Sequence, residues 1–327
     1  MSRILVTGAG GFLGARLARH LAADGHEVVA LGRSAASLAS LGDVPVSAMV
    51  CDLADDVALS SLALTGLDSV VHCAGLSSNW GPRRDFERNN IIATANLLHR
   101  AKQWGAPHFI HVSSSSVYFR FRDQLAVSEA AVLPAPVNHY AWSKAEAEKL
   151  VRGAHDLPTT ILRPRGIYGH GDRALLPRLL RAAARGPLPS FNGGGAVIDL
   201  THVDDVVAAI ACVIRHGNKT AGATYNVSGG EAVAIRDIIG RSAELAGVAV
   251  RWRDMPWPVA IVAIRALERF HRAFMPRVEP VVTAYSAGLL AFSQTLDLSA
   301  IRHAIGWTPR ISFDDGLART FASGVVS

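Results

Sequence analysis

RILVTGAGGFLGARLARHLAADG, residues 3–25, changes its periodicity in the middle. Residues 3–8 are a short apolar run, which reads as a strand. From Phe12 onward the pattern is helical, with Leu13, Leu17 and Leu21 on one stripe and Gly25 as the stop. Between the two lies TGAGGFLG (7–14), in which Gly8, Gly11 and Gly14 stand three apart. Glycines at a strand-to-helix turn let a pyrophosphate approach backbone N–H groups, and the helix N-terminus faces it with the positive end of its dipole. Simple turn glycines are the plain alternative, but the strand–turn–helix context is what phosphate binding needs. Gly8, Gly11, Phe12, Leu13 and Gly14 are therefore the expected phosphate-binding turn.

The alternation continues beyond this unit. Strands are expected at 26–33, 46–53, 69–75, 108–114, 159–164 and 223–229, with helices over 86–104 and 140–154. Strands alternating with helices give an α/β fold, a doubly wound parallel sheet of Rossmann type. After about Arg173 the pattern changes: 175–186 is helical, and 231–327 is mostly helical and broken by prolines. The expected division is a dinucleotide-binding domain of 1–171 plus 197–230 and a smaller, mostly helical substrate lobe of 172–196 plus 231–327.

Composition narrows the function class. Half of the 327 residues are hydrophobic and 18% are charged, which is globular and not disordered. The net charge of +6 comes from basic residues scattered singly, mostly arginines, so a nucleic-acid surface is not expected and an anionic ligand is. Cys51, Cys73 and Cys212 show no paired or metal-ligating spacing. They point to a reducing, cytoplasmic setting. No signal peptide is expected ahead of residue 3, and no apolar run is long enough for a membrane span. The stretch WPVAIVAIRAL (257–267) is apolar enough to lie on a lipid surface or to line a pocket.

The end of the second strand selects the cofactor. An acidic residue there would hold the ribose 2′-hydroxyl of NAD. Leu31-Gly32-Arg33-Ser34 has none, and Arg33 suits a 2′-phosphate. NADP(H) is the expected cofactor, with NAD(H) the alternative. Asp52 and Leu53 are placed to flank the adenine, and Ala74-Gly75 lets the fourth strand's end pass close to the cofactor.

HYAWSKAEAEKL (139–150) places Tyr140 and Lys144 one helical turn apart on one face. An ammonium beside a phenol lowers its pKa and makes it an acid/base for a carbonyl oxygen. HVSSSSVY (111–118) ends an expected strand with four serines, and side-chain chemistry alone does not choose among them.

TGAGGFLG, CDL, HCAG, VSSSSVY, YAWSK and LRPRGIYG occur in the order seen in extended short-chain dehydrogenases/reductases, and the resemblance spans essentially the whole chain. It implies that Ser114, three residues before Val117, binds the substrate oxygen, that Tyr140 passes the proton, and that Lys144 binds the nicotinamide ribose and tunes Tyr140. Asn90 matches a family asparagine, either catalytic or holding its helix in place, and Pro164 a residue beside the nicotinamide. A homodimer through the helices near 86–104 and 140–154 is likewise implied.

Three departures bear on the substrate. Phe119 stands where the family often has glycine, which is expected to reshape the pocket mouth. Ser115 and Ser116 replace the Asp-Glu pair of sugar 4,6-dehydratases and cannot serve as that acid/base pair. Ile198 replaces the arginine with which nucleotide-sugar members hold a diphosphate. The C-terminal tail resembles the 3β-hydroxysteroid dehydrogenase-like branch, with its 2-alkyl-3-oxoalkanoate reductases, which implies a hydrophobic alcohol or ketone. A nucleotide-sugar epimerase and a non-catalytic nicotinamide-binding protein are the alternatives. His72 and Cys73 read as buried packing residues. Near His202, Asp204 and Asp205, an aspartate capping the next helix outweighs a metal site, and none is expected.

Overall fold

The computed structural model describes residues 1–322; the last five residues of the expected second lobe lie outside it. A seven-stranded parallel sheet forms the centre. Its strands are β1 (Arg3–Thr7), β2 (Glu27–Gly32), β3 (Ser47–Val50), β4 (Ser69–His72), β5 (Phe109–Val112), β6 (Thr159–Pro164) and β7 (Thr224–Val227). Their spatial order is β7-β6-β5-β4-β1-β2-β3, so the winding reverses between β1 and β4. At that reversal the strand ends part and leave a crevice, where open α/β sheets bind ligands. The expected doubly wound fold is the observed one. Each expected strand falls on an observed strand, trimmed at its ends.

The central strands are continuous apolar runs because helices cover both faces. On one face α1 (Phe12–Ala23) buries Leu17 and Leu21 against Ile4, Val6 and Val28. The other face is covered by a long helix, α2, and by α3 (His139–Arg152). α2 is not regular. Arg83–Phe86 and Ala93–Gln103 are α-helical, but Glu87–Ile92 between them is a π-turn. Such turns add a residue to a helix and gather at functional sites. α4 (Val203–His216) packs beside α1.

A polar network runs through the core under β5 and β6. Arg163 is buried and donates to both Glu148 carboxylate oxygens, from Nε at 2.8 Å and from Nη2 at 2.5 Å. Ser113 donates to Glu148 Oε1 at 2.6 Å, and the Tyr118 hydroxyl donates to Asn226 Oδ1 at 2.8 Å. Removing one member of the Arg163–Glu148 pair leaves a buried charge, at a cost of about 3–5 kcal/mol.

The C-terminal region is helical, as the sequence suggests, and includes α5 (Trp257–Phe274). Two of its short strands, which the sequence reading does not contain, join two from earlier in the chain. Val233–Ala234, Val197–Ile198, Gln294–Leu296 and Gln124–Val127 form a four-stranded sheet. Runs of two to four residues are too short to show an alternating pattern.

Candidate active site

The phosphate turn is built on close backbone approach. Gly8 has φ +68°, and a Cβ there would lie 2.7 Å from the Ala74 nitrogen. A Cβ on Gly14 would lie 2.2 Å from the Gly8 oxygen. Gly10, outside the expected triplet, is equally required, since its Cβ would meet the Ser37 carbonyl at 2.3 Å. Gly11 caps α1 without a side-chain bond, so the first-turn N–H groups at Phe12 and Leu13 are left for a ligand. These residues fit a dinucleotide pyrophosphate.

The adenosine end lies at the tips of β2 and β3. Arg33 is exposed and donates to Asn89 Oδ1 at 3.1 Å. Asp52 accepts from the Ala54 N–H at 3.0 Å and from Arg88 Nη1 at 2.9 Å. Burial works to raise its carboxyl, but those bonds together with Arg88 and Arg33 hold it below the usual carboxylate range. Arg33, Arg88 and Asp52 thus form one charged rim. Leu53 points its side chain into the core and offers only its backbone, whose carbonyl accepts from Asn96 Nδ2 at 3.0 Å.

The catalytic candidates converge at the carboxyl ends of β4, β5 and β6. Asn138 caps α3 by accepting from the Ala141 N–H at 2.8 Å, which fixes the start of the helix that carries Tyr140 and Lys144. Among the four serines, Ser113, Ser115 and Ser116 are buried, and Ser114 alone is half-buried. Ser114 accepts from the Ser116 N–H at 3.2 Å and is hydrogen-bonded to the Tyr140 hydroxyl. Ser77, from the loop after β4, is a second partner of that hydroxyl, and nothing in the local sequence distinguishes it.

Lys144 is buried, and its Nζ donates to the Val112 carbonyl at 2.8 Å. Burial drives its pKa down to about 8, against the opposing pull of Cys73 and Glu148. Tyr140 corrects one expectation. Its pKa is not lowered by Lys144; burial pushes it up, and the bonds with Ser114 and Ser77 only partly offset this. The reason is the direction of Lys144, whose ammonium is committed to the end of β5.

Asn90 sits in the π-turn and is buried. It accepts from the Leu76 N–H at 2.6 Å, and its amide donates to the Leu76 carbonyl at 3.2 Å and to Ser143 Oγ at 2.8 Å. It ties the β4 loop to α3, which makes it a positioning residue here. Gly75 lies over it, with Lys144 Nζ 3.6 Å from where a Cβ would be. Pro164 ends β6, paired with Val227.

One flank of the site is aromatic. Phe119 is buried and meets Tyr285 edge-on at 5.0 Å and Phe121 at 5.4 Å between ring centroids. Trp257 continues this wall toward Phe191 and Phe292. Arg165 follows β6; its Nε donates to the Gln294 carbonyl at 3.0 Å and lies 3.2 Å from Asp199 Oδ1. Tyr285 feels the charges of both Arg165 and Tyr140, so the guanidinium and the candidate acid face one region. Arg165 was not singled out in the sequence, where nothing couples it to Tyr285. Ile198 is buried in the core of the small sheet and presents no cation. A cleft of about 230 Å³ opens at the start of α3, with Trp80, Gly81, Phe86 and His139 on one side and Arg272 and Pro276 on the other.

The residues around His202, Asp204 and Asp205 have partners within the protein. His202 is the cap of α4, in place of the expected aspartate, and accepts from the Asp204 N–H at 3.3 Å. Asp204 pairs with Arg16, and Asp205 accepts from the Arg310 and Ile311 N–H groups. Buried His72 is held between Thr7 and Thr94.

A nicotinamide-dinucleotide fold with a Ser/Tyr/Lys cluster at the strand ends defines an enzyme of the extended short-chain dehydrogenase/reductase class, an NAD(P)-dependent oxidoreductase. The chain belongs to the NAD dependent epimerase/dehydratase family, whose profile matches residues 4–228, and to its 3β-hydroxysteroid dehydrogenase-like branch. It is 31% identical to a 2-alkyl-3-oxoalkanoate reductase of Stenotrophomonas maltophilia, over 98% of this chain and 99% of that one. It is 26% identical to the human sterol-4-alpha-carboxylate 3-dehydrogenase (decarboxylating), over 98% and 88%. Among solved structures, UDP-glucuronic acid 4-epimerase from Bacillus cereus in complex with NAD superimposes with a TM-score of 0.75 at 25% identity, over 98% of this chain and 97% of that one. Among the described residues, no helix is long and apolar enough to cross a membrane.

Proposed function

We propose that this chain is an NADP(H)-dependent reductase that interconverts a ketone and a secondary alcohol on a hydrophobic substrate, a long-chain β-keto acid or a steroid-like ketone. The observation that carries this reading is the aromatic cluster of Phe119, Phe121 and Tyr285, in which Tyr285 lies near Tyr140. Ile198 in place of a diphosphate-binding arginine supports it. Arg33 supports a 2′-phosphate at the adenosine end.

A bound nicotinamide supplies the hydride to the carbonyl carbon. Ser114 donates a hydrogen bond to the carbonyl oxygen, and Tyr140 gives that oxygen its proton. A phenol whose pKa is raised by burial stays protonated at neutral pH, so Tyr140 is ready as the acid in the reducing direction. Lys144 would hold the nicotinamide ribose, and solvent would restore the proton to Tyr140, whose hydroxyl is partnered by Ser114 and Ser77. Asn90 keeps the β4 loop and α3 in register. In this reading 1–171 plus 197–230 hold the cofactor and 172–196 plus 231–327 the substrate. The enzyme is a homodimer through α2 and α3 in a reducing, cytoplasmic setting, for which the three free cysteines speak.

The test is loss of reduced nicotinamide absorbance, with NADPH and NADH separately, over long-chain β-keto acids, ketosteroids and UDP-sugars. Net NADPH oxidation with an apolar ketone is expected, and Tyr140→Phe should lower it roughly 10²–10⁴-fold while cofactor still binds. Interconversion of a UDP-sugar without net oxidation would replace this reading with an epimerase. Cofactor binding with no turnover of any of these would leave a non-catalytic binding protein.

A further inference from the structure

α5 turns an apolar face to solvent. Val259, Val262, Ala263, Ala266, Phe270, Ala273 and Phe274 recur at i, i+3, i+4, i+7, i+11, i+14 and i+15, which is one stripe of a helix. Val259, Val262, Phe270 and Phe274 are 67%, 69%, 51% and 72% exposed. The surface continues past the helix through Val278 at 53% and Val281 at 96%. The opposite face is apolar too, with Ala260 and Ile264 buried and Trp257 and Ile261 packed against the same cluster. Packing inside the protein therefore explains only half of this helix. An exposed apolar surface of this extent marks an interaction site.

The charges beside the stripe have one sign. Arg265, Arg269 and Arg272, at i, i+4 and i+7, run as an exposed row along its flank, and Arg277 follows, 3.7 Å from Asp85. The two acids of residues 257–281 are both engaged: Glu268 accepts from the Ala284 N–H and sits 3.8 Å from Arg272, and Glu279 pairs with Arg178. The helix end also lines the cleft at the start of α3, the helix that carries Tyr140. Trp80 donates to the Pro276 carbonyl at 3.1 Å, and Arg272 and Pro276 form one side of the cleft whose other side carries His139, the neighbour of Tyr140.

We propose that α5 and the segment through Val281 form a docking surface for an anionic lipid bilayer. The apolar stripe lies at the acyl boundary, the arginine row meets phosphate headgroups, and an apolar substrate passes from the bilayer into the cleft. An amphipathic helix rich in basic residues binds membranes by this combination of apolar burial and charge. A second copy of the chain fits less well, because it would bring cationic rows together where a bilayer neutralises them. The passage of substrate rests on the reductase reading; the docking does not.

Flotation of the full chain, without substrate, on vesicles of equimolar phosphatidylcholine and phosphatidylglycerol tests it. Binding is expected there, about tenfold weaker on pure phosphatidylcholine and reversed by salt. The double substitution Phe270→Ser with Phe274→Ser should weaken it about tenfold or more. Both side chains are exposed and outside the reaction site, so turnover of a short, water-soluble β-keto acid should be unchanged. A chain that floats on neither vesicle, or a variant that floats like the parent, overturns the proposal. So does a parent dimer in sedimentation velocity that the double variant turns into monomers, since the stripe would then belong to a second copy. If flotation behaves as expected while no ketone is reduced, the docking stands and the reductase reading falls.

Discussion

α3 and α5 are held to the molecule in opposite ways. α3 brings Ser143, Lys144 and Glu148 into the interior and gives each a partner: Asn90, the Val112 carbonyl, and Arg163 with Ser113. α5 fully buries only Ala260 and Ile264 and leaves four large apolar side chains bare. The first helix spends stability on fixing polar groups in place, which a reaction needs. The second keeps its contacts few and its apolar surface open, which suits the bilayer proposed for it. The groups proposed to react and the groups proposed to meet the bilayer are thus built to different rules within one chain.

Lys144 is where this difference should be largest. Its ammonium is buried at an energetic cost, as its pKa of about 8 records, yet the proposed chemistry needs the charge. Lys144→Met should lower turnover roughly 10²–10⁴-fold. It should leave the thermal midpoint unchanged or higher, because a buried charge has been removed. Steady-state kinetics and a thermal melt of the same sample check both halves. A variant that is both active and less stable would show Lys144 to be a structural residue.

The acid side breaks the comparison on stability. His72 and His108 are pushed down to about 3 and about 4 by burial, and His111 lies well below its ordinary value for the same reason. All three belong to the sheet around α3, and none to α5. A histidine kept neutral in the fold but titrating near 6.5 when unfolded adds stability that is complete above that pH. The contribution is lost as the pH falls, because the unfolded chain takes up protons that the folded one refuses. Each such histidine adds up to about 1.4 kcal/mol per pH unit to the slope. Urea midpoints should fall steeply between about pH 6 and pH 4.5, and His111→Phe should remove about a third of that slope. His111 is the choice because both its ring nitrogens are buried without a hydrogen-bond partner, so the substitution breaks none. An unchanged slope would place the acid sensitivity elsewhere.

The same contrast governs what the sequence reveals. The strands are legible because a sheet covered on both faces needs continuous apolar runs, and the phosphate turn because its glycines stand beside one of them. Tyr140 and Lys144 are legible from helical spacing. Ser114 is chosen by resemblance, and the fold gives the physical reason: its neighbours in the run turn inward, Ser113 to Glu148. Ser77, Gly10 and Arg165 escape because their importance arises from contacts with Tyr140, Ser37 and Tyr285, far along the chain. The π-turn escapes because a single extra residue in a helix hardly disturbs the apolar period. The lowering of Tyr140 expected from Lys144 fails for a similar reason. Spacing puts two groups on one face, but it does not say where an ammonium on a long stem will point.

The smallest effect belongs to α5 and is the most discriminating. Val262 is 69% exposed, so Val262→Asn removes almost no apolar surface that folding buries. Its cost to stability should be within about 0.5 kcal/mol, the ordinary range for a surface position. The neighbouring Ile264 is 7% exposed, and Ile264→Ala should cost about 2–5 kcal/mol, as a buried large-to-small change does. Two sites two residues apart on one helix should therefore differ severalfold in a urea melt. If Val262→Asn cost as much as Ile264→Ala, the outer face of α5 would be covered in solution by another part of the folded assembly. The free stripe, and with it the surface available to a bilayer, would not exist.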